Sequence, residues 1–193
     1  MQWEADFLLF LQNHVRNDFL DVIMNGLSTM MNGGVFVIIL IAILLVYKKT
    51  RRIGVVALIA LLACFVINNL ILKNVIARTR PYDAIEGLVL IAKKPNDYSF
   101  PSGHTAISFV VAGAITWCLP KSKKWMGVLL LVLSGLIAFS RLYVGAHYPT
   151  DVIFGILSGI IISIIVYLIV WKKINKNEQI EQEKGGITDE KVV

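Results

Sequence analysis

Five apolar runs dominate the chain, at about 30–47, 53–72, 104–120, 125–144 and 152–171. Each is about long enough to cross roughly 30 Å of hydrocarbon as a helix. The second run carries Asn68 and Asn69, which must face protein or a cavity rather than lipid. The third and fourth contain glycines suited to close helix packing. Only the fourth holds a charge, Arg141, near its far end. Ahead of these runs, Phe7, Leu8, Leu11, Val15, Phe19, Val22, Ile23, Leu27 and Met30 recur at helical spacing. Gln12, Asn13, Asn17, Asp18, Asp21 and Asn25 interrupt them. This pattern predicts one or two amphipathic helices over 1–31 lying at the membrane interface, with a sixth spanning helix as the alternative. Residues 175–193 mix Lys, Glu, Gln and Gly with little apolar content, which predicts a solvated, disordered tail. The expected fold is therefore all-α: a polytopic membrane helical bundle of about five transmembrane helices, with residues 1–174 as one domain.

The connections between runs set the orientation. Lys48 to Arg52 (KKTRR), Lys121 to Lys124 (KSKK), and Lys172 and Lys173 follow alternate runs. If five helices alternate, these basic ends lie on one side, and the excess of Lys and Arg makes that side cytoplasmic. The other, extracytoplasmic side then holds residues 73–101 and 141–151. Composition agrees with a membrane protein: of 193 residues, 56% are hydrophobic and only 17% charged, too apolar for an ordinary soluble domain. The net charge of +6 does not indicate nucleic acid as a partner, because no basic face remains once the apolar runs are set aside. Glu4 and Asp6 stand where a cleavable signal peptide would carry positive charge. Cys64 and Cys118 lie inside apolar runs with no disulfide or metal spacing.

Three polar clusters fall on the extracytoplasmic side: Lys73 to Pro81 (KNVIARTRP), Pro101 to His104 (PSGH), and Ser140 to Asp151 (SRLYVGAHYPTD). Charged groups at membrane depth mark function by default. Lys73, Arg80 and Arg141, gathered at one mouth, would favour a multiply charged anion; arginine grips phosphate oxygens as a planar fork and lysine acts as a point charge. Pro101 and Ser102 suit a helix start, where free N–H groups bind anions. Ser102 and Gly103 could grip the phosphate that His104 faces. His147 and Asp151 are four apart, so the carboxylate can fix the imidazole tautomer and leave the other nitrogen free as a nucleophile. Two histidines suggest divided labour, one attacking phosphorus and one protonating the leaving oxygen. The cations would stabilise the transferring phosphoryl group. Asp83, Glu86 and Asp97 show no metal-ligand pattern.

Together the clusters resemble the signature of the type-2 phosphatidic acid phosphatase family, K-x6-RP, PSGH and SR-x5-H-x3-D. Every position matches in order: Lys73, Arg80 and Pro81; Pro101, Ser102, Gly103 and His104; Ser140, Arg141, His147 and Asp151. The resemblance covers 73–151 by motif and most of the chain by hydropathy. It implies a membrane phosphatase with His147 as nucleophile, Asp151 as its orienting partner and His104 as general acid. Lys73, Arg80, Arg141, Ser102 and the Gly103 amide would bind phosphate, with no metal or other cofactor. Vanadium haloperoxidases are soluble relatives of the fold, and the spanning runs argue against that branch.

A site at headgroup level suits a lipid phosphate whose tail stays in the bilayer. The short chain resembles bacterial members acting on undecaprenyl pyrophosphate; phosphatidylglycerophosphate and phosphatidic acid are the alternatives. A non-catalytic lipid-binding or transport protein is a further reading, and it requires the histidines to be dispensable. The sequence leaves the oligomeric state open. A single cysteine placed in the 84–98 loop is expected to react with an impermeant thiol reagent in intact cells. Labelling only after lysis would overturn the orientation.

Overall fold

A computed structural model of the protein describes residues 2–174. The expected polar tail at 175–193 lies outside them. Among the described residues the regular structure is helical, with no strand. The helices are α1 (Gln2–Phe10), closed by a π turn (Leu11–Val15), then α2 (Asp18–Met30), α3 (Val35–Val46) and α4 (Arg51–Cys64). α4 continues through a π-helical stretch (Phe65–Leu72) and one last turn (Lys73–Ile76). After the short α5 (Pro81–Ala84) come α6 (Gly103–Cys118), α7 (Lys124–Tyr143) and α8 (Pro149–Val166), which runs on through Tyr167–Trp171.

Local chemistry sets these boundaries. The Asn17 side chain accepts from the Leu20 amide at 3.0 Å and starts α2. Ala77, with φ of 47°, takes the left-handed conformation that ends α4. Pro81 and Pro149 occupy first-turn positions in α5 and α8, where a missing N–H costs nothing.

α6 is the central helix. It is buried along nearly its whole length and packs against α4, α7 and α8. Val56, Ala57, Ala60 and Cys64 of α4 meet Ala106, Val110 and Ala114 of α6 in the main core. At Gly159 of α8, an added Cβ would lie 2.8 Å from the Ala106 carbonyl oxygen and 2.9 Å from Phe109 Cβ. Small residues permit such close approach where apolar surroundings offer no other drive for association.

Among the described residues three helical stretches, Arg51–Ala84, Lys121–Tyr143 and Pro149–Ile174, are long and apolar enough to cross a membrane. α2 and α3 would together make a fourth, bent by 53°. α6 differs from the expectation of full-length crossings: its 16 residues span only about 24 Å at 1.5 Å per residue. Its neighbours bury it, so it need not match the hydrocarbon thickness itself.

The amphipathic first thirty residues also differ from a simple interfacial pattern. Phe19, Val22 and Ile23 are exposed, as an apolar face meeting lipid requires. Several polar residues, however, bond to protein. Arg16 Nε donates to the Tyr143 carbonyl at 2.9 Å, Gln12 Nε2 to the Gly87 carbonyl at 2.8 Å, and the Tyr143 hydroxyl to Asp21 at 2.7 Å. The segment is stitched over one end of the bundle.

Gly159→Ala should lower the unfolding midpoint of the detergent-solubilised protein, at an overpacking cost of about 1–3 kcal/mol. Gly26→Ala, whose Cβ would meet nothing within 4 Å, should leave the midpoint unchanged or raise it. Equal effects at both sites would refute the close-packing role of Gly159.

Candidate active site

The end of α4, the start of α6 and the turn between α7 and α8 come together beneath the 85–101 loop. His147 sits in that turn, and its backbone N–H donates to the Arg141 carbonyl at 3.3 Å. Gly145, with φ of 78°, makes the reversal possible. Asp151 lies in the first turn of α8, fully buried. Its Oδ2 accepts from the Tyr148 amide at 3.0 Å and from the Ser99 hydroxyl at 2.5 Å. The same oxygen faces His147 Nδ1 at 3.5 Å, so the two groups are adjacent without a closed hydrogen bond.

The other ring nitrogen, Nε2, is 3.2 Å from Arg80 Nη1. Residues 77–80 lie outside the helices, with Arg80 extended, so side chains two apart share a side. Arg78 and Arg80 both reach the α7–α8 turn. Arg80 donates to the Ala146 carbonyl at 2.9 Å. Arg78 Nη1 donates to Asp151 Oδ1 at 2.5 Å, and its guanidinium lies 3.8 Å over the Tyr148 ring. Burial, followed by the facing cations Arg80, Arg141 and Lys73, pushes the His147 imidazole well below its usual range, against the pull of Asp97. His147 is therefore neutral at ordinary pH, with a lone pair available.

A cavity of about 420 Å³ is lined by Lys73, Arg80, Gly103, His104 and His147 together with Asn69 and Asp97. Both histidines thus open on one space, where a single phosphorus atom could be shared. Along α4 the lining passes from Leu61, Leu62 and Phe65 through Asn69 to Lys73, from apolar to cationic. A smaller cavity on another side of His104 is lined by Arg141, Ser28 and Lys94. Arg141 is 2% exposed, donates through Nη1 to the Ser28 hydroxyl, and has its Nε buried without a partner. Ser102 lies behind the wall: its hydroxyl shares a 2.9 Å hydrogen bond with Thr105 and its amide donates to the Asp151 carbonyl at 3.1 Å. Gly103 lets the wall close, since a Cβ there would sit 3.1 Å from the Asn69 amide nitrogen.

Three further residues act here that the motif spacing passed over. Asp97, from the 85–101 loop, accepts from Lys73 Nζ at 2.5 Å through Oδ2 and from Arg80 Nη2 at 2.5 Å through Oδ1. Burial would raise its pKa, but the bonds and charges of Lys73 and Arg80 prevail and hold it down at about 2. Arg78 is hidden in the variable interior of KNVIARTRP; its position two before Arg80, in a segment a proline must keep extended, was the available signal. Ser99 lies two before Pro101, outside the PSGH cluster, and had no such signal.

A short helical bundle with spanning-length apolar helices, carrying a cationic cavity backed by a His–Asp pair, defines a membrane protein built to hold an anion. The model of the PAP2 superfamily matches residues 52–175, and the chain belongs to that superfamily. It is 42% identical over 118 residues to an undecaprenyl-diphosphatase of Sulfolobus acidocaldarius, covering 61% of this chain and 55% of that protein. The aligned part thus spans about half of that relative. It is 30% identical over 159 residues to phosphatidylglycerophosphatase B of Bacillus subtilis, covering 77% and 74% of the two chains. The fold matches the crystal structure of a transmembrane PAP2-type phosphatidylglycerolphosphate phosphatase from Bacillus subtilis with a TM-score of 0.74, at 25% identity over 91% of this chain and 86% of that one. It matches that of Aquifex aeolicus LpxE with a TM-score of 0.70, at 29% identity over 82% and 92%.

If phosphate enters at Lys73 and Arg80, it competes with Asp97 for both donors. Asp97→Asn should therefore tighten inhibition by inorganic phosphate roughly tenfold, about one charge-assisted hydrogen bond of 1.5 kcal/mol. An unchanged inhibition constant would place phosphate away from Lys73 and Arg80.

Proposed function

We propose that this chain is an integral membrane phosphatase that hydrolyses undecaprenyl diphosphate to undecaprenyl phosphate and inorganic phosphate. In this reading the chain crosses a bacterial cell membrane five times and the site faces the extracytoplasmic side, an orientation supported by the basic ends at 48–52, 121–124 and 172–173 falling on the opposite side. The observation that carries the reading is the single cavity joining Lys73, Arg80, His104 and His147 to Leu61, Leu62, Phe65 and Ile107. Such a lining suits an amphiphile with a phosphate head and a long hydrocarbon tail. The names of the Sulfolobus acidocaldarius relative and of the Bacillus subtilis undecaprenyl-diphosphatase, 35% identical over 128 residues, support this choice of lipid. In this reading α3 to α8, without the short α5, make the five crossings, α3 as the steep apolar arm of the bent α2–α3 pair. The first two helices lie at the interface over the site.

In this mechanism His147 Nε2 attacks phosphorus. As the N–P bond forms, the bond from phosphorus to the leaving oxygen breaks, and His104 gives that oxygen a proton. Water then attacks the phosphohistidine: an O–P bond forms, the N–P bond breaks, and His104 takes the proton from water. Asp151 holds the Nδ1 side of the ring. Lys73 and Arg80, with the Gly103 amide, stabilise charge on the equatorial oxygens, while Arg141, which lines the smaller cavity beyond His104, adds its charge from behind. No metal is called for in this reading, because the fixed cations Lys73, Arg80 and Arg141 would supply the charge that a metal ion brings to other phosphatases.

Phosphatidylglycerophosphate is the second candidate substrate, favoured by the likeness to phosphatidylglycerophosphatase B over most of both chains. The same chemistry serves it, as it would phosphatidic acid. A non-catalytic lipid-binding or transport role gives no reason for a neutral, buried histidine facing a cationic cavity.

Phosphate release from the purified protein should be fastest with undecaprenyl diphosphate, compared with phosphatidylglycerophosphate and phosphatidic acid, and should persist in EDTA. His147→Ala should abolish turnover with the fold intact. His104→Ala should hurt most for the poorer leaving group. Retained activity in His147→Ala would remove it as nucleophile, and loss in EDTA would restore a metal mechanism.

A further inference from the structure

Glu4 is out of place. It sits in the first turn of α1, between the exposed Trp3 and Phe7, yet is itself fully buried. Its Oε1 accepts from the Thr150 hydroxyl at 2.5 Å and the Thr150 amide at 3.3 Å. Its Oε2 accepts from Arg78 Nη2 at 2.7 Å. Burial would raise its pKa, but these bonds from Thr150 and Arg78 prevail and lower it, so Glu4 carries charge. The other arm of the Arg78 fork donates to Thr150 Oγ1 at 2.7 Å and to Asp151 Oδ1 at 2.5 Å. One guanidinium thus joins two buried carboxylates, and the second of them faces His147.

This arrangement has an electrostatic consequence. A carboxylate that must hold an imidazole N–H, and then an imidazolium-like ring as the phosphoryl group transfers, needs its negative charge. A full guanidinium charge held against Asp151 alone would drain it. Glu4 divides the attention of Arg78, leaving Asp151 effective toward His147 while Arg78 still fixes its position. Buried carboxylates without a cation, or a cation without both carboxylates, would be costly in a low-dielectric surround.

We propose that Glu4 is a positioning residue for the reaction: delivered by the N-terminal helix, it balances Arg78 and so sets Asp151 against His147. The proposal rests on the reading of His147 as nucleophile. Contact with substrate is not part of the role, because Glu4 does not line the main cavity.

The test is steady-state kinetics of Glu4→Gln on whichever of the three lipids the full-length protein hydrolyses fastest. The kcat should fall about tenfold or more, the size expected when a histidine's outer orienting partner is lost, with KM within about twofold. The acid limb of kcat/KM should move to lower pH. That limb reports His147 among Asp151, Arg80, Arg141, Lys73, Asp97 and His104, of which only Asp151 touches Arg78. In an Arg78→Gln background, adding Glu4→Gln should cost nothing further, because the two act as one unit. Should Glu4→Gln fail to fold, Thr150→Val keeps every charge, removes the hydroxyl that bridges Glu4 and Arg78, and should lower kcat with KM held. Wild-type kcat in the folded variant, or losses that simply add, would overturn the proposal while an inactive His147→Ala left the nucleophile standing. An active His147→Ala would overturn the reading on which it rests.

Discussion

Four cations, Lys73, Arg78, Arg80 and Arg141, share one end of a narrow helical bundle, and their mutual repulsion is the constraint that orders the rest. Two unit charges 4 Å apart at an effective dielectric near 20 interact by about 4 kcal/mol. Such a cluster holds together only if opposite charges are interleaved. Asp97 stands between Lys73 and Arg80. Asp151 and Glu4 stand on either side of Arg78. Arg141 is bonded instead to the neutral Ser28 hydroxyl. The carboxylates set the spacing of the cations, and the cations leave one region where a further anion is welcome.

That requirement explains the topology at this end. The carboxylates come from a loop, a helix start and the N-terminal helix, elements far apart in order. The first thirty residues provide Glu4 against Arg78 and Ser28 against Arg141. They also clamp the α7–α8 turn through Arg16 and Asn17 on Tyr143. Removing this segment would uncover the bundle end, take Ser28 from Arg141 and leave Arg78 with one of its two carboxylates.

The helices and the cation-bearing positions were legible because they leave marks on sequence. Apolar runs announce buried or lipid-facing helices, and an arginine in such a run stands out. The His147–Asp151 spacing announced proximity, and the structure brings the two within 3.5 Å. Lengths were less legible: α6 starts at Gly103, where Pro101 and Ser102 fix it, and stops at Cys118, two residues short of the end of its apolar run, because Pro120 lies just past it. The polar residues of the first segment read as a solvent-facing stripe, since a glutamate that will be buried looks the same in sequence as one that will not. Only the partner settles it, and Arg78 lies 74 positions away. Ser102 illustrates the converse. Its place in a cluster suggested contact with the anion, whereas its hydroxyl is taken up by Thr105.

The π-helical stretch Phe65–Leu72 carries a last consequence. Each α-helical residue turns the chain by about 100°, and π segments arise as single-residue expansions of an α-helix. The azimuth of Lys73 relative to the core therefore depends on how many residues the stretch contains, not only on which ones. Its lipid-facing side chains, Val66, Ile67, Leu70 and Ile71, can drift freely among apolar types. Loss of one residue with a return to ordinary winding would leave Lys73 near its present azimuth, whereas loss without that return would swing the lysine away from the histidines. Residue count and winding together, more than the identity of the greasy side chains, fix where Lys73 points.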